Sequence, residues 1–520
     1  MPVSVVPARR LWWAPPLLAA LLAVTGLLLG WRGVDLPAQI YRVNLFRHEG
    51  FTLWDSQWYG GHWTLDYSVL FPPLAGLVSV QVTAVLSAVL ASLAFDQLVI
   101  DHFGPTARVG SFVFAAGTIV QLSIGQLPFL LGEGLGLAAC WAASRRRWTL
   151  AVALGLATSL ASPLAGAFLG LAGVAWLLTT WPANRMGLAL LVAAVAVPVA
   201  TLELLFPGQG FFPFPATDFA FEGVACIVML LLVPRQERVL RAAARLYLLA
   251  TAASFVLPSA VGGNVGRLGE CIAIPIAACM LWPIRRWLLV SLAAPMALWQ
   301  WAPAWGAMSN ENTRDPSTHA AYYDPLVAFL AAHDDPKGRV EIVPTRLHWE
   351  AAYVAPTVPI ARGWERQLDT ADNPLFYAKG GLDPVAYQAW LIDNGVRYVA
   401  LPDAPLDYAG VAEGALVTAG LPELTPVWRN DHWRVFAVPA STGIVDGPAH
   451  LTSLDGGHIA LAAGSAGTVL VRVHFSPRWT VVGGSACVRP SPDNWTAIEV
   501  AAPGPIELQL RLVGGKSATC

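Results

Sequence analysis

The sequence predicts an α-helical polytopic membrane protein of about eleven transmembrane helices, followed by a C-terminal region that lies in water. Three observations support this class. Up to residue 305, long apolar stretches alternate with short connectors, and most approach the roughly 20 residues that cross a bilayer. Hydrophobic residues make up 55% of the chain and charged residues only 13%, well below the roughly 25% typical of soluble domains. Arginine is also concentrated in alternate connectors, a pattern typical of multi-pass proteins.

The arginine pattern orients the chain in the plasma membrane. One set of alternate connectors holds thirteen arginines: Arg9, Arg10, Arg108, Arg145, Arg146, Arg147, Arg185, Arg235, Arg238, Arg241, Arg245, Arg285 and Arg286. The connectors between them hold Arg32, Arg42, Arg47 and Arg267. Because cytoplasmic connectors carry the excess of arginine, we expect a cytoplasmic N-terminus and an extracytoplasmic C-terminal region. A net charge of −2 with no basic face argues against a nucleic-acid partner.

The predicted spans follow in order through a membrane domain at 1–305. The first span lacks a small-residue cleavage site, so we expect a retained anchor, and a polar, aromatic first outer loop follows at 31–66. The connector at 125–128 and Ser162-Pro163 predict tight turns between neighbouring spans. The spans are expected at 11–30, 68–95, 109–124, 129–144, 148–162, 164–180, 186–204, 218–233, 246–259, 271–283 and 287–304.

The C-terminal region divides into two predicted parts. Residues 306–440 contain a strand at 339–343, a helix at 384–394 and a strand at 396–401, an order typical of a βαβ unit. Residues 441–520 alternate apolar and polar positions between turns, which predicts a small β-sandwich. Cys487 and Cys520 lie there, where an oxidising exterior permits a disulfide. The spacing alone leaves open whether they pair.

The first outer loop is the strongest candidate site. It places Asp35, Tyr41, Asp55, Trp58 and His62 at the membrane edge. One interpretation is an aromatic belt with solvated charges. The other is a carbohydrate-binding site in which aromatic faces stack on sugars and a carboxylate accepts a proton. The position of Asp35, directly after the first span, favours the second interpretation.

Other acidic groups have weaker claims. A divalent cation shared by Asp35, Asp55 and Asp66 is one option, but no spacing is diagnostic, so no metal ligand and no certain cofactor are assigned. Glu133 lies inside a predicted span, where a carboxylate is a functional candidate or a helix cap. Glu203 and Glu222 lie near outer span ends and are expected to meet water.

Arg267 is the second candidate. It follows a Gly-Gly-Asn-Val-Gly run, where the glycines allow backbone N–H groups to approach a ligand and the guanidinium can bind a lipid phosphate. The alternative is an arginine paired with Glu270 or extended to the lipid headgroups.

This arrangement resembles the GT-C glycosyltransferases, which are polytopic enzymes that use polyprenyl-phosphate-linked sugars. The likeness includes the first span, the acidic residue outside it, the long first loop, the further spans and the C-terminal exodomain. Within that group, the sequence is most similar to actinobacterial membrane proteins labelled "6-pyruvoyl-tetrahydropterin synthase-related". Four segments carry this similarity: 125–129 (Gly-Gln-Leu-Pro-Phe), 263–268 (Gly-Asn-Val-Gly-Arg-Leu), 395–399 (Gly-Val-Arg-Tyr-Val) and 433–436 (Trp-Arg-Val-Phe).

The resemblance implies a hexosyl- or pentosyltransferase of cell-wall biogenesis. It would transfer a sugar to an envelope glycan or glycolipid on the outer face, among membrane lipids. Asp35 would be the general base of an inverting reaction, and Arg267 would bind the lipid phosphate. Asp55, His62, Tyr41, Trp58 and Glu133 would contact substrate. Two alternatives stay open: a non-catalytic GT-C-like scaffold that binds envelope glycans, and a lipid or polymer transporter.

Overall fold

The computed structural model describes residues 12–180, 184–207, 210–334, 337–512 and 520. Arg9 and Arg10, expected to hold the first span inside, lie outside these ranges. The chain forms two compact units. The helical unit comprises Met1–Gln39 and Leu65–Arg314, and the sheet unit comprises Ile40–Thr64 and Asp315–Cys520. This division differs from the predicted one, because most of the first outer loop belongs to the sheet unit and the later boundary falls after Arg314.

The helical unit is built from thirteen helices in its described part, of which the second continues into the sheet unit. They are α1 (Ala14–Leu28), α2 (Leu36–Glu49), α3 (Phe71–Leu77), α4 (Val80–Phe103), α5 (Arg108–Ile124), α6 (Leu127–Ser144), α7 (Trp148–Ala161), α8 (Pro163–Thr179), α9 (Arg185–Leu205), α10 (Ala216–Leu232), α11 (Arg238–Val256), α12 (Arg267–Met308) and α13 (Asn310–Thr313).

Local sequence signals account for several helix ends. The Ser162 hydroxyl accepts a hydrogen bond from the Ala165 N–H, and Pro163 begins α8, so the predicted turn between α7 and α8 is confirmed. Gly125 ends α5 in the left-handed region, at φ +96°. An L-residue rarely adopts that backbone conformation, which makes glycine the fitting residue at the α5–α6 turn.

Six helices in the described residues are long and apolar enough to cross a membrane: Val80–Phe103, Pro105–Ile124, Leu127–Ser144, Arg185–Leu205, Arg238–Val256 and the continuous stretch Gly262–Thr313. These helices agree with a helical membrane protein, but the count of about eleven is not confirmed. Helices α1, α7 and α8 have only 15, 14 and 17 residues. The predicted spans 271–283 and 287–304 lie on the two parts of α12, which are two helices that meet at a kink at Arg285, where the backbone is non-helical.

In its described residues, the sheet unit combines the second part of α2 and five further helices with three four-stranded sheets and a small hairpin. Its helices are α14 (Ala320–Ala332), α15 (Glu350–Tyr353), α16 (Arg366–Asp372), α17 (Pro384–Asp393) and α18 (Val411–Ala419). Its strands are β1 (Trp54–Asp55), β2 (His62–Trp63), β3 (Arg339–Ile342), β4 (Val396–Pro402), β5 (Thr425–Arg429), β6 (Trp433–Ala437), β7 (Val445–Asp446), β8 (Ala449–Asp455), β9 (His458–Ala463), β10 (Gly467–His474), β11 (Trp479–Gly483), β12 (Ala486–Pro490), β13 (Trp495–Val500) and β14 (Gly504–Leu510).

The first four-stranded sheet has the order β3-β4-β6-β5. Strands β3 and β4 pair in parallel, and α17 lies on the connection between them. A parallel pair requires such a crossover, so the predicted βαβ unit is confirmed. The remaining strands form two antiparallel sheets, β12-β13-β10-β7 and β11-β14-β9-β8.

These two sheets share one core, as the alternating sequence predicts. Val469 and Val471 of one sheet and Ile459 and Leu508 of the other are fully buried in the same cluster. That cluster also contains Trp54 of β1, far away in sequence. Cys487 of β12 is disulfide-bonded to Cys520, which confirms the hypothesised pair.

Candidate functional site

The backbone of residues 33–36 is fixed against the α5–α6 turn of the helical unit. The Gly33 N–H donates to the Ser123 carbonyl, and the Asp35 N–H donates to the Ile124 carbonyl, both at 2.9 Å. Leu36 lies directly against Gly125, where a Cβ would collide with its backbone. Asp35 is therefore held in one place, with only 8% of its surface exposed.

Arg267 is the first residue of α12 and faces this carboxylate. A 3₁₀ turn at Gly262–Gly266 precedes it. The Tyr247 hydroxyl donates to the Val265 carbonyl at 3.0 Å and accepts from the Gly269 N–H at 3.2 Å, which fixes the start of α12. The Arg267 Nη2 lies 3.8 Å from the Asp35 Oδ2. The structure thus brings the two main sequence candidates together.

Glu133 lies one helical turn beyond Phe129 on α6, and Cys271 one turn beyond Arg267 on α12. The Arg267 guanidinium lies 5.7 Å from the centre of the Phe129 ring, and Phe129 packs with Cys271 in one buried cluster. The Cys271 thiol faces the Glu133 carboxyl. Among the described residues, the Glu133 Oε2 is buried without a hydrogen-bond partner. An acceptor in this state is costly, which keeps Glu133 a functional candidate.

The expectation that Glu222 meets water is wrong. Its exposed fraction is 4%, and its carboxylate lies against Gly266, where a Cβ would collide with it. Glu222 is buried because α10 packs on α11 and on the 3₁₀ turn before Arg267. Glu203 is exposed, as expected.

Tyr41, Asp55, Trp58 and His62 lie in the sheet unit and are each at most 6% exposed. The Tyr41 hydroxyl donates to the Asp55 Oδ2 at 2.8 Å, and the Gln57 N–H donates to the Oδ1 at 3.0 Å. Trp58 stacks on both Tyr41 and His62. This structure gives the four side chains a packing role, and the substrate contacts predicted for them stay a prediction.

Burial shifts the titration of the two ionisable groups in this cluster. It raises the pKa of Asp55 to about 7, although the hydrogen bonds from Gln57 and Tyr41 oppose the shift. It lowers the pKa of His62 to about 3, and the nearby charge of Arg42 acts in the same direction. His62 is therefore neutral at physiological pH and a weaker base than an ordinary histidine.

Arg42, one of the four arginines in the connectors predicted to face outward, has a structural partner in the sheet unit. Its guanidinium is ion-paired with Glu365 and lies 6.0 Å from the Trp58 ring and 5.7 Å from the Trp364 ring. The Tyr59 hydroxyl donates to the Glu365 carbonyl at 2.9 Å. The pair therefore joins residues 40–64 to the α/β part of the same unit.

Sequence reasoning missed a buried ionic network in the α/β part. Arg362 donates two hydrogen bonds to Asp369, at 2.9 and 2.6 Å, and one to Glu413 at 3.2 Å. The Tyr387 hydroxyl donates to Glu413 at 2.8 Å. Burial and the Glu413 charge raise the pKa of Glu341 well above its usual value, while the Arg362 charge opposes the shift. The signal in the sequence was the charge-rich stretch 362–369 within an otherwise apolar region.

A second part of the network surrounds His348, whose backbone has φ +54°. Its ring nitrogens lie 3.3 Å from a Glu350 oxygen and 3.5 Å from an Asp407 oxygen. Burial alone would lower the pKa of His348, but the hydrogen bonds and charges of Asp407 and Glu350 outweigh it and raise the pKa to about 9. The imidazolium is therefore the stable form at neutral pH.

We expect the sheet unit to lose stability as pH rises from about 6.5 through about 9. A folded-state pKa above the unfolded value means that the stabilisation is complete below about 6.5 and is lost on deprotonation. The loss should be on the order of 3 kcal/mol. Urea unfolding of the whole chain, followed by tryptophan fluorescence from pH 6 to pH 10, measures it. His348→Gln should flatten this dependence, and equal slopes in both proteins would contradict the assignment.

No protein-family model matches the chain, and no curated protein matches it either. The likeness to GT-C enzymes therefore depends on the residues themselves. Within the described ranges, no group of three or more His, Cys, Asp or Glu side chains is placed to hold a metal ion. The Asp55 carboxylate is instead occupied by Tyr41 and Gln57.

Proposed function

We propose that the protein is a GT-C-type membrane glycosyltransferase. It would transfer a sugar from a polyprenyl-phosphate donor to an envelope glycan or glycolipid on the outer face of the plasma membrane. The observation that supports this most is the approach of Asp35 to Arg267, at 3.8 Å. It combines a candidate base with a candidate phosphate ligand, and both lie at backbone positions fixed by hydrogen bonds.

In this proposal Asp35 accepts the proton of the acceptor hydroxyl. The acceptor oxygen then forms a bond to the anomeric carbon while the bond from that carbon to the phosphate oxygen breaks. The sugar is transferred with inversion, and the lipid phosphate leaves with the electron pair. Arg267 stabilises the negative charge that develops on the leaving phosphate, the kind of electrostatic effect that contributes most to many enzymes.

The ion pair between Asp35 and Arg267 also gives a physical reason why the donor would bind before the acceptor. While Arg267 faces Asp35, its charge is shared with the carboxylate. A phosphate carries more charge and offers several acceptor oxygens for the planar guanidinium. Donor binding would therefore draw Arg267 toward the phosphate and leave the Asp35 oxygen available to the acceptor hydroxyl.

Glu133 is proposed as a further substrate contact because its Oε2 is buried and lacks a hydrogen-bond partner among the described residues. A sugar hydroxyl would supply the missing donor. Tyr41, Asp55, Trp58 and His62 remain proposed contacts of a weaker kind. Because these four side chains are buried, they would affect substrate binding indirectly, by fixing the shape of the sheet unit.

The orientation is tested with reporter fusions. We expect a reporter at the C-terminus to be active outside the cell, and reporters at 145–147 or 235–245 to be active inside, because the arginine-rich connectors face the cytoplasm. Activity of the C-terminal reporter inside would place Asp35 away from an outward-facing donor and contradict the proposal.

The activity is tested with purified protein in nanodiscs, a polyprenyl-phosphate-linked sugar and an envelope glycan acceptor. Sugar transfer, measured as labelled product and absent with Asp35→Asn, supports the enzyme. Glycan binding without transfer for any donor supports the scaffold alternative. A deletion strain of an organism that carries this chain should lack one sugar linkage in its envelope.

A further inference from the structure

Tyr408 of the sheet unit is an exposed aromatic residue that is held in place by the charged side chains of Arg366 and Asp407. Its side chain is 64% exposed, although it follows directly after the buried Asp407. The Arg366 guanidinium lies 4.6 Å from the centre of its ring. The second aromatic of the group, Tyr377, meets Tyr408 edge to face, with ring centres 6.3 Å apart.

The support beneath Tyr408 is built from charged hydrogen bonds. The Asp407 Oδ1 accepts from the Ala409 N–H at 2.9 Å, which fixes the turn that carries Tyr408. Its Oδ2 accepts from the Arg366 Nη2, also at 2.9 Å, and lies 3.5 Å from the His348 ring. The Arg366 Nη1 donates to the Tyr377 hydroxyl at 2.8 Å.

Stability alone does not explain this construction. Replacing buried ion pairs with apolar side chains is often neutral or stabilising. His348 also adopts a backbone conformation that is unfavourable for a residue with a Cβ. Strain and buried charge under an exposed aromatic ring are instead typical of a pre-organised binding group, whose geometry is fixed by the residues behind it.

The chemistry around the ring favours a carbohydrate. A sugar ring stacks its C–H face on an aromatic ring and places its hydroxyls against polar groups at the rim, here the partly exposed Arg366. A protein partner would need a wider apolar surface. In the described residues of the sheet unit, the exposed large apolar side chains are few and, except for Tyr408 and Val411, far apart in the sequence: Phe51, Val385, Tyr408, Val411, Val427, Val482 and Leu512.

We propose that Tyr408, supported by Arg366 and Asp407, is a binding subsite for a neutral glycan chain. The subsite deepens the proposed function by placing a contact for the acceptor glycan on the sheet unit. It depends on that function only for the glycan's role as an acceptor, because binding is measured without transfer.

The test uses the full chain in nanodiscs and two biotinylated probes, a mannan hexasaccharide and an arabinan hexasaccharide, with binding followed by interferometry. Wild-type protein should bind at least one probe. Tyr408→Ala should weaken that binding about tenfold or more, since truncating a central aromatic contact commonly has this effect. Tyr408→Phe keeps the ring and should stay within about twofold of wild type. Val385→Ala, at an exposed position of the same unit, should bind as wild type does.

Three results would overturn the subsite: no wild-type binding to either probe, undiminished binding by Tyr408→Ala, or an equal loss with Tyr408→Phe. If Tyr408→Ala does not fold, the rate at which tetranitromethane nitrates Tyr408 in the wild-type protein is measured instead. Bound hexasaccharide should slow this nitration. An unchanged rate would reject the subsite. Glu203→Gln, at an exposed position of the helical unit, should bind the probe normally. A protein that binds glycan but transfers no sugar supports the subsite and rejects the enzyme. A protein that transfers sugar but does not bind the hexasaccharides supports the enzyme and rejects the subsite.

Discussion

Asp35→Asn should lower the rate of sugar transfer by about 10²–10⁴-fold, the range that general-base catalysis typically contributes. The substitution keeps the size of the side chain and its hydrogen bonding but removes the ability to accept a proton. The Asp35 backbone N–H bond to the Ile124 carbonyl does not depend on the side chain, so folding should survive. Single-turnover transfer in nanodiscs measures the rate, and donor binding measured separately should persist.

Two other variants test whether the loss of sugar transfer is specific to the Asp35 carboxylate. Glu203→Gln removes an exposed carboxylate elsewhere on the helical unit and should leave transfer unchanged. Arg267→Ala should weaken donor binding as well as turnover, because it removes a charge-assisted contact to the phosphate. Normal transfer by Asp35→Asn would falsify the assigned mechanism and favour the scaffold.

Arg362→Met should destabilise the sheet unit by about 3–5 kcal/mol, the usual cost of breaking a buried ion pair from one side. Asp369 and Glu413 would keep their buried positions without the guanidinium that now donates to both. For a unit of this size the melting temperature should fall by roughly 10 °C. Thermal unfolding followed by tryptophan fluorescence measures the shift.

Glu341→Gln is the matched control for Arg362→Met. Glu341 is fully buried in the same cluster, but burial and the Glu413 charge raise its pKa, which favours the neutral form. Its amide replacement should cost under about 1.5 kcal/mol, as volume-conserving core changes usually do. A loss as large as that of Arg362→Met would mean that Glu341 is ionised in the folded protein.

The parts of the fold that the sequence predicts well depend on neighbouring residues. Ser162-Pro163 supplies both a cap and a helix start, and the turn is found there. The strands at 339–343 and 396–401 and the helix at 384–394 recur within a residue or so of their predicted ends. Asp35 and Arg267 were each chosen as candidates from the sequence, for separate roles, and their approach to 3.8 Å is seen only in the structure.

The parts that the sequence does not predict depend on distant contacts. Glu222 lies at a predicted span end, and its burial follows from how α10 packs on α11. The aromatic residues of 40–64 suit a membrane edge as well as a protein core, and contacts with distant residues, such as the packing of Trp58 against Gly363 and of Trp54 in the β-sandwich core, distinguish the two. The Arg362 cluster has no motif, because its partners come from four separate segments.

The composition of the sheet unit has a consequence for biosynthesis. Residues 40–64 leave the ribosome early, yet Trp54 belongs to a core completed by strands after residue 440. The His474 N–H also donates to the Gly60 carbonyl. At about 5–20 residues per second, translation of the intervening chain takes tens of seconds. During that interval, the aromatic side chains that are buried in the folded protein cannot yet pack into the core. Nascent chains therefore pass through a stage in which these apolar side chains are exposed and prone to aggregation.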